Sequence, residues 1–117
     1  MSLSVSDAVG SILHAAVEGV SVRQNVIADN IANVDTPGYI ATSVDFESSL
    51  RNAIADGNLS EVGIERTATD TPVGANGNNV DLRKETLAAV QSQFQYQVLT
   101  RAITDHHNLV KIAAGAM

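Results

Sequence analysis

Three histidines, His14, His106 and His107, are the side chains of this sequence best suited to bind a metal ion or to transfer a proton. Two metal ligands on one helix need a spacing of three or four residues, whereas adjacent helical residues point about 100° apart. His106 and His107 therefore cannot face one ion together, and His14 is distant in the sequence. The pattern predicts no metal site, and no cofactor is expected.

The residues that catalysis would need are also missing from the pattern. The chain has no cysteine, which excludes a disulfide framework and a thiolate nucleophile. No glycine-rich phosphate loop follows a strand pattern, and no convergent pair of acids stands out. Since there is no basic patch and aromatic residues are few, nucleic acid is an unexpected partner. The sequence predicts a protein that is not an enzyme.

Composition and charge favour an extended helical protein. The chain of 117 residues has two Phe, two Tyr and no Trp, too few large side chains for a typical compact enzyme core. Between residues 35 and 80 the acids outnumber the bases seven to two, whereas the flanking segments are nearly neutral. This distribution indicates ends that self-associate and a middle that faces water. No apolar run approaches the ~18 residues of a membrane span, and no basic residue precedes Arg23 as a secretory signal would require.

A long amphipathic helix is predicted from Ser6 to Val34. Ser6 or Asp7 could cap its first turn, and at about 1.5 Å per residue it would extend roughly 43 Å. Gly19 lowers helix propensity, but it would allow a neighbouring helix to approach closely. The spacing of the apolar residues forms one stripe, which consists of Val9, Leu13, Ala16, Val20, Ile27 and Ile31.

A turn must follow this helix because the residue before Pro37 is pushed out of helical geometry. In the segment Thr36–Tyr39, Pro37 presets φ at the first central position of a type II turn. Gly38 supplies the positive φ that the second central position requires. The sequence therefore predicts a type II turn.

The acidic middle carries weaker patterns. Asp45 could cap a short helix that runs to about Ala55 and stops at Gly57. A short strand could form within residues 62–67, and the rest of residues 58–79 looks like loop. The asparagines of residues 76–79 are interpreted as flexible loop residues.

A second long helix is predicted from Asp81, its cap, to about Ala114. Its apolar face is wide, which implies more than one helical neighbour. We expect Phe94 in the seam between helices and Tyr96, which points to another face, against a second neighbour. The face consists of Leu87, Val90, Phe94, Val98, Leu99, Ala102, Ile103, Leu109, Val110 and Ile112.

The predicted fold class is mainly α. Long N- and C-terminal amphipathic helices would form an antiparallel coiled-coil-like pair, with a short helix and an irregular, partly β middle. The chain divides into an N-terminal assembly segment (1–36), a middle (37–80) and a C-terminal assembly segment (81–117). Apolar surface that the pair leaves uncovered would drive assembly into a filament or bundle.

Two motifs resemble a known family. The run Asn30–Tyr39, an Asn-Ile-Ala-Asn helix end followed by Thr-Pro-Gly-Tyr, resembles the signature of bacterial flagellar basal-body rod and hook proteins. Residues 79–82 and 93–97 are similar to the start and middle of the last helix in the short, proximal rod members. The segment His106-His107-Asn108 departs from the basic and aromatic residues often found there, which puts in doubt contacts that need that charge.

The resemblance implies a structural subunit of the proximal rod, the drive shaft needed for motility. It implies export from the cytoplasm through the flagellar type III machinery without a cleaved signal. The implied partners are other rod subunits and the membrane-embedded basal-body ring and export apparatus, in the periplasmic or cell-wall space. The motif makes a set of joint residues candidates for assembly contacts, namely Asn30, Asn33, Asp35, Thr36, Pro37, Gly38 and Tyr39. The candidate assembly helices contribute Leu13, Val20, Ile27, Ile31, Leu87, Val90, Phe94, Tyr96, Leu99, Ile103 and Val110.

Several alternatives stay open at this stage. Asn33 could simply end the helix, whereas Asn30 inside it is expected to bond a neighbouring subunit and fix register. Tyr39 could pack on the helix that it follows or join two subunits. For the whole chain, the alternative function is a soluble helical binding module such as an export chaperone.

Overall fold

Two long antiparallel helices form the frame of the molecule in the computed structural model, which describes residues 3–115 and the side chains of residues 5–60 and 62–115. Helix α1 spans Leu3–Ala32, and after a middle segment the last helix returns along it. The Asn30 side-chain nitrogen lies 3.1 Å from the Glu85 carboxylate, and the Arg23 guanidinium lies 3.3 Å from the side-chain oxygen of Gln95. Residue numbers rise along α1 from 23 to 30 while those of their partners on the last helix fall from 95 to 85, so the two helices are antiparallel. The predicted mainly α fold class is confirmed.

The middle segment adds a short helix and a small sheet. Strand β1 (Thr42–Val44) precedes helix α2 (Glu47–Asp56), a 3-10 turn at Leu59–Glu61, strand β2 (Arg66–Ala68) and the last helix, α3 (Leu82–Gly115). The two strands pair antiparallel, with Ser43 opposite Thr67. The elongated shape, 66 × 27 × 14 Å, follows from helices that are far longer than the middle segment that covers them.

The predicted boundaries are close but shifted. Helix α1 begins at Leu3 rather than at a cap on Ser6, which is buried inside the helix, and it ends at Ala32, two residues before Val34. The short strand predicted within residues 62–67 is present but shifted, because β2 spans Arg66–Ala68 and shares only residues 66 and 67 with the prediction. The division into two assembly segments and a middle stays a prediction, and its outermost residues, 1–2 and 116–117, lie outside the described part of the chain.

The caps of the other helices agree with the sequence. The Asp45 carboxylate accepts a hydrogen bond from the Ser48 amide at 3.2 Å and another from the Ser48 hydroxyl, and these bonds lower the pKa of Asp45. Gly57 ends α2 with φ of 74°, the left-handed conformation that glycine adopts without strain. Asp81 caps α3 by accepting a bond from the Arg83 amide at 3.1 Å.

The hydrophobic core lies where the middle segment covers α1. The Phe46 ring is 3% exposed and packs against the backbone of Gly19, with Val20 and Val44 beside it. The prediction that a neighbouring helix packs closely against Gly19 is wrong, because the Phe46 ring occupies that space. Since Phe46 follows β1 closely, this contact fixes the middle segment to α1.

Candidate assembly interface

Asn30 is the centre of a buried polar joint where α1, β1 and α3 meet. Its side chain is 0% exposed. Its amide nitrogen donates to the Thr42 carbonyl at 2.8 Å and to the Glu85 carboxylate at 3.1 Å. Its carbonyl oxygen accepts bonds from the Thr42 amide at 3.1 Å and the Tyr39 hydroxyl at 3.2 Å. Because these bonds occupy the whole side-chain amide, Asn30 fixes the register of α1, β1 and α3 within the chain, and its predicted bond to a neighbouring subunit stays a prediction.

The turn after α1 has the predicted geometry. Gly38 has φ of 75°, and the Tyr39 amide donates to the Thr36 carbonyl at 3.3 Å, as a type II turn requires. The side chain of Asn33 bonds both sides of the helix end: its nitrogen donates to the Asp29 carbonyl at 2.8 Å, and its oxygen accepts from the Thr36 hydroxyl at 3.0 Å. Asn33 therefore acts at the end of the helix. Residues 35–38 are exposed. Their contact with another subunit stays a prediction.

The loop that precedes α3 holds this turn in place, which corrects the interpretation of residues 76–79 as merely flexible. Asn78 and Asn79 are buried. The side-chain nitrogen of Asn78 donates to the backbone carbonyls of Asn33 at 2.8 Å and Thr36 at 2.7 Å. The Asn79 oxygen accepts a bond from the Ala41 amide at 2.6 Å. Asn78 and Asn79 therefore connect the end of α1 to the segment before α3, because their side chains bond backbone groups of the turn and of residue 41.

Arg23 fixes the middle segment to α1 at a second place. Its guanidinium forms a bidentate ion pair with Glu47 and donates to the Val44 carbonyl at 2.7 Å. It also lies over the Phe46 ring, 4.8 Å from the centroid, within cation–π distance. The bonds from Arg23 hold the pKa of the Glu47 carboxyl below its usual value. No local pattern in the sequence signals this contact, because its partners are distant along the chain.

Helix α3 carries an apolar face that none of the described residues covers. We define its outer face as six apolar residues, each half to two-thirds exposed, and the Arg101–Asp105 pair that interrupts them. At 100° per residue all eight positions fall within about 100° of one another around the helix. The predicted place of Phe94 in the seam is wrong within the chain, because this ring is 67% exposed. The apolar members are Leu87, Val90, Phe94, Val98, Leu109 and Ile112.

An open apolar groove adjoins the outer face. It has a volume of about 340 Å³ and lies between α3 and the Phe46 end of the middle segment, with Phe94 and Val98 on one side and Phe46 and Leu50 on the other. The groove extends the apolar surface of the outer face at Phe94 and Val98, on the side of the Arg101–Asp105 pair toward the start of α3. Exposed apolar surface of this extent is typical of a contact site for another protein.

The candidate assembly residues thus divide between seam and surface. Val20 and Ile27 of α1 are buried, and Leu99 of α3 is half-buried against the cluster that includes Val20. Tyr96 lies outside the seam at 39% exposure. Six residues of the seam or the joint were not predicted as site residues, namely Arg23, Glu47, Asn78, Asn79, Glu85 and Ser92. The other predicted members of the seam, half-buried, are Leu13, Ile31, Ile103 and Val110.

The histidines lie together at the end of the helix pair that is remote from the joint. His14, His106 and His107 line an open cleft with Asp7. Within residues 3–115 no group of three or more His, Cys, Asp or Glu side chains is arranged to hold a metal ion. In the same residues no helix is long and apolar enough to cross a membrane.

Comparison with known proteins gives a consistent result. The sequence profile described as flagella basal body rod protein matches residues 20–39, the end of α1 and the turn. The chain is similar to the flagellar basal body rod protein FlgB of Bacillus subtilis, with 36% identity over 85% of this chain and 87% of the relative. It is 34% identical to FlgB of Escherichia coli over 70% of this chain and 75% of the relative. FlgB of Borreliella burgdorferi is 27% identical over 85% of this chain and 90% of the relative.

Proposed function

This chain belongs to the FlgB family of flagellar basal body rod proteins, and from that premise we propose that it builds the rod by packing the outer face of α3 against neighbouring rod subunits. It is a structural protein of the flagellar basal body, not an enzyme. The observation that carries the proposal is the uncovered apolar line on α3, since covering such a face requires another chain.

The small core supports a subunit that gains order on assembly. The buried apolar side chains cluster around Phe46 and the middle of α1, whereas much of α3 packs on α1 along one side only. Long helices with few neighbours are marginal by themselves, because helical stability comes mainly from packing. We therefore expect assembly to add most of the stability of the distal ends of both helices.

We further propose the turn Thr36–Tyr39 as an intersubunit joint, with its exposed side turned toward the next subunit. Its backbone is fixed from inside by Asn78, which leaves residues 35–38 presented rigidly at the surface. The acidic middle segment would then face the surrounding solvent. The division of the chain into two assembly ends and a solvent-facing middle rests on this arrangement.

We also propose that the chain is exported through the flagellar type III machinery without a cleaved signal. Its place would be the periplasmic or cell-wall space, next to the membrane-embedded ring. They rest on the family resemblance. A marginal core agrees with them, because a chain that unfolds easily can pass through a narrow channel at little energetic cost. Deleting the export apparatus should leave the chain in the cytoplasm, and its normal appearance outside would refute this route.

The proposal is tested by a charge placed on the outer face. Val90→Glu puts a carboxylate on an apolar contact, while Gln93→Glu adds the same charge on the polar side of the same helix. In a strain that lacks its own copy of the gene, Val90→Glu should abolish swimming although the purified variant keeps native helicity. Gln93→Glu should swim normally. Normal swimming of Val90→Glu would refute the use of this face in the rod.

A further inference from the structure

The outer face of α3 has a charge pattern that distinguishes between possible partners. Arg101 and Asp105 form an exposed pair, with nitrogen and oxygen 3.6 Å apart, near the centre of the line from Phe94 to Ile112. A polar pair within an apolar stripe restricts the register in which another helix can pack on it, because each charge must find its complement.

A second copy of the chain satisfies this pattern in one orientation. In a parallel, in-register contact, Arg101 would face the Arg101 of the other copy and Asp105 would face Asp105, which is repulsive. In an antiparallel contact centred between them, each Arg101 faces the Asp105 of the other copy. The attraction then occurs twice, once on each side of the two-fold axis.

The apolar residues match in the same antiparallel register. Phe94 then lies opposite Ile112 of the other copy, and Val98 lies next to Leu109. Each of these four residues is at least half exposed in the single chain, so the contact removes apolar surface from water on both sides. A parallel contact shifted by four residues also pairs Arg101 with Asp105, but it places Asp105 against Leu109 and does not close.

We propose that the unassembled chain forms a two-fold symmetric dimer in which the outer face of α3 packs antiparallel against that of a second copy, centred on Arg101 and Asp105. The dimer covers the line from Phe94 to Ile112 and leaves Val90 outside the overlap. The contact is closed, because both copies use the same surface, so it ends at two chains and cannot continue into a filament. The dimer therefore keeps apolar surface from water before the rod is built, a role that rests on the proposed function.

Charge reversal tests the dimer in the purified full-length chain. Arg101→Glu and Asp105→Arg each place like charges across the axis and should weaken self-association about tenfold or more, as measured by sedimentation over a range of concentrations. An equal mixture of these two variants should form a mixed dimer. In it, Glu at position 101 of one chain faces Arg at position 105 of the other, and the remaining native Asp105 faces the native Arg101. Lys111→Glu, which changes the net charge by the same amount as Arg101→Glu on the polar side of α3, should dimerise as the native chain does.

Disulfide trapping tests the orientation, since the native chain has no cysteine. Val98→Cys mixed with Leu109→Cys should give a disulfide between the two variants. Neither variant should link to itself, because copies of residue 98 would lie about 15 Å apart along the axis. Self-linked Val98→Cys, open-ended polymers, or a native chain that stays monomeric would each overturn the proposal. The Val90→Glu variant should still dimerise, so loss of swimming in that variant and loss of the dimer are separate results.

Discussion

Replacing Gly19 by alanine should destabilise the chain although alanine is the better helix former. A Cβ atom added at Gly19 would lie 2.5 Å from two carbons of the Phe46 ring, whereas carbon atoms normally pack about 3.5–4.0 Å apart. The ring is buried and must retreat by roughly 1 Å, which also draws it away from Arg23, now 4.8 Å from its centroid. Overpacking of this kind costs about 1–3 kcal/mol.

Because the ring is buried, the cost should lie in the upper part of this range, about 2–3 kcal/mol. The gain in helix propensity on replacing glycine by alanine is at most about 1 kcal/mol, so the net loss should be roughly 1–2 kcal/mol. This corresponds to a fall in the unfolding midpoint of roughly 5–10 °C for a chain of this size. Thermal and urea unfolding followed by circular dichroism at the helical band would measure it. The value should be compared with the native chain under identical conditions, including protein concentration.

Gly10→Ala is a matched control in the same helix. A Cβ atom at Gly10 would lie 3.4 Å from the Nε2 atom of His106, a contact that the imidazole can relax by rotating. This variant should therefore be as stable as the native chain or more stable by up to about 1 kcal/mol. In a Phe46→Leu background the cost of Gly19→Ala should shrink, because the two changes act on one contact. If the Gly19→Ala chain unfolds at or above the native midpoint, the close packing of the Phe46 ring on Gly19 is refuted.

Four further substitutions test the joint, the Arg23–Glu47 ion pair and the seam. Gly38→Val places a β-branched residue at φ of 75°, which should cost about 1–3 kcal/mol locally and abolish motility with normal synthesis of the chain, whereas full motility would refute the turn as a structural joint. Asn78→Ala removes one of the two donors that each of the Asn33 and Thr36 carbonyls has, so the unfolding free energy should fall by about 1–2 kcal/mol, with faster amide exchange in the turn. The pKa of Glu47 is lowered by the bonds from Arg23, so its stabilisation is present above the unfolded value of 4.5 and is lost as pH falls through the folded pKa. Glu47→Gln should therefore cost at most about 1 kcal/mol at neutral pH and almost nothing at low pH in urea unfolding, and an equal cost at both pH values would contradict the ion pair. Ser92→Ala removes a fully buried hydroxyl that has no hydrogen-bond partner among the described residues and should raise the midpoint of thermal unfolding, whereas a lower midpoint would show that the hydroxyl is bonded.

The elements predicted best are those whose signals lie within a few adjacent residues. The turn at Pro37-Gly38 and the stop of α2 at Gly57 both have the expected backbone, with φ of 75° and 74°. Proline and glycine act through their own φ angles, so no distant partner is needed to produce these conformations. The two long helices were likewise predicted from the spacing of their apolar residues, and only their ends were misplaced.

The missed features all depend on residues that are far apart in the sequence. Strands β1 and β2 are three residues each and too short to show alternation, so their pairing exists only because the chain folds back. Asn78 and Asn79 have a composition typical of loops, and only their burial and long-range bonds show that they hold the turn. Phe94 looks like a core residue in the sequence, but it lies on the outer face of α3 and is 67% exposed.

The sequence by itself determined two amphipathic helices, the rigid turn between α1 and the middle, and the absence of a catalytic pattern, because each follows from local spacing and backbone preference. Only the tertiary structure decided which parts of the wide apolar face of α3 are used within the chain. Leu99 and its neighbours turn toward α1, while the line from Leu87 to Ile112 stays open. The physical reason is that a single antiparallel helix covers only one side of α3, and periodicity cannot state which side the partner takes.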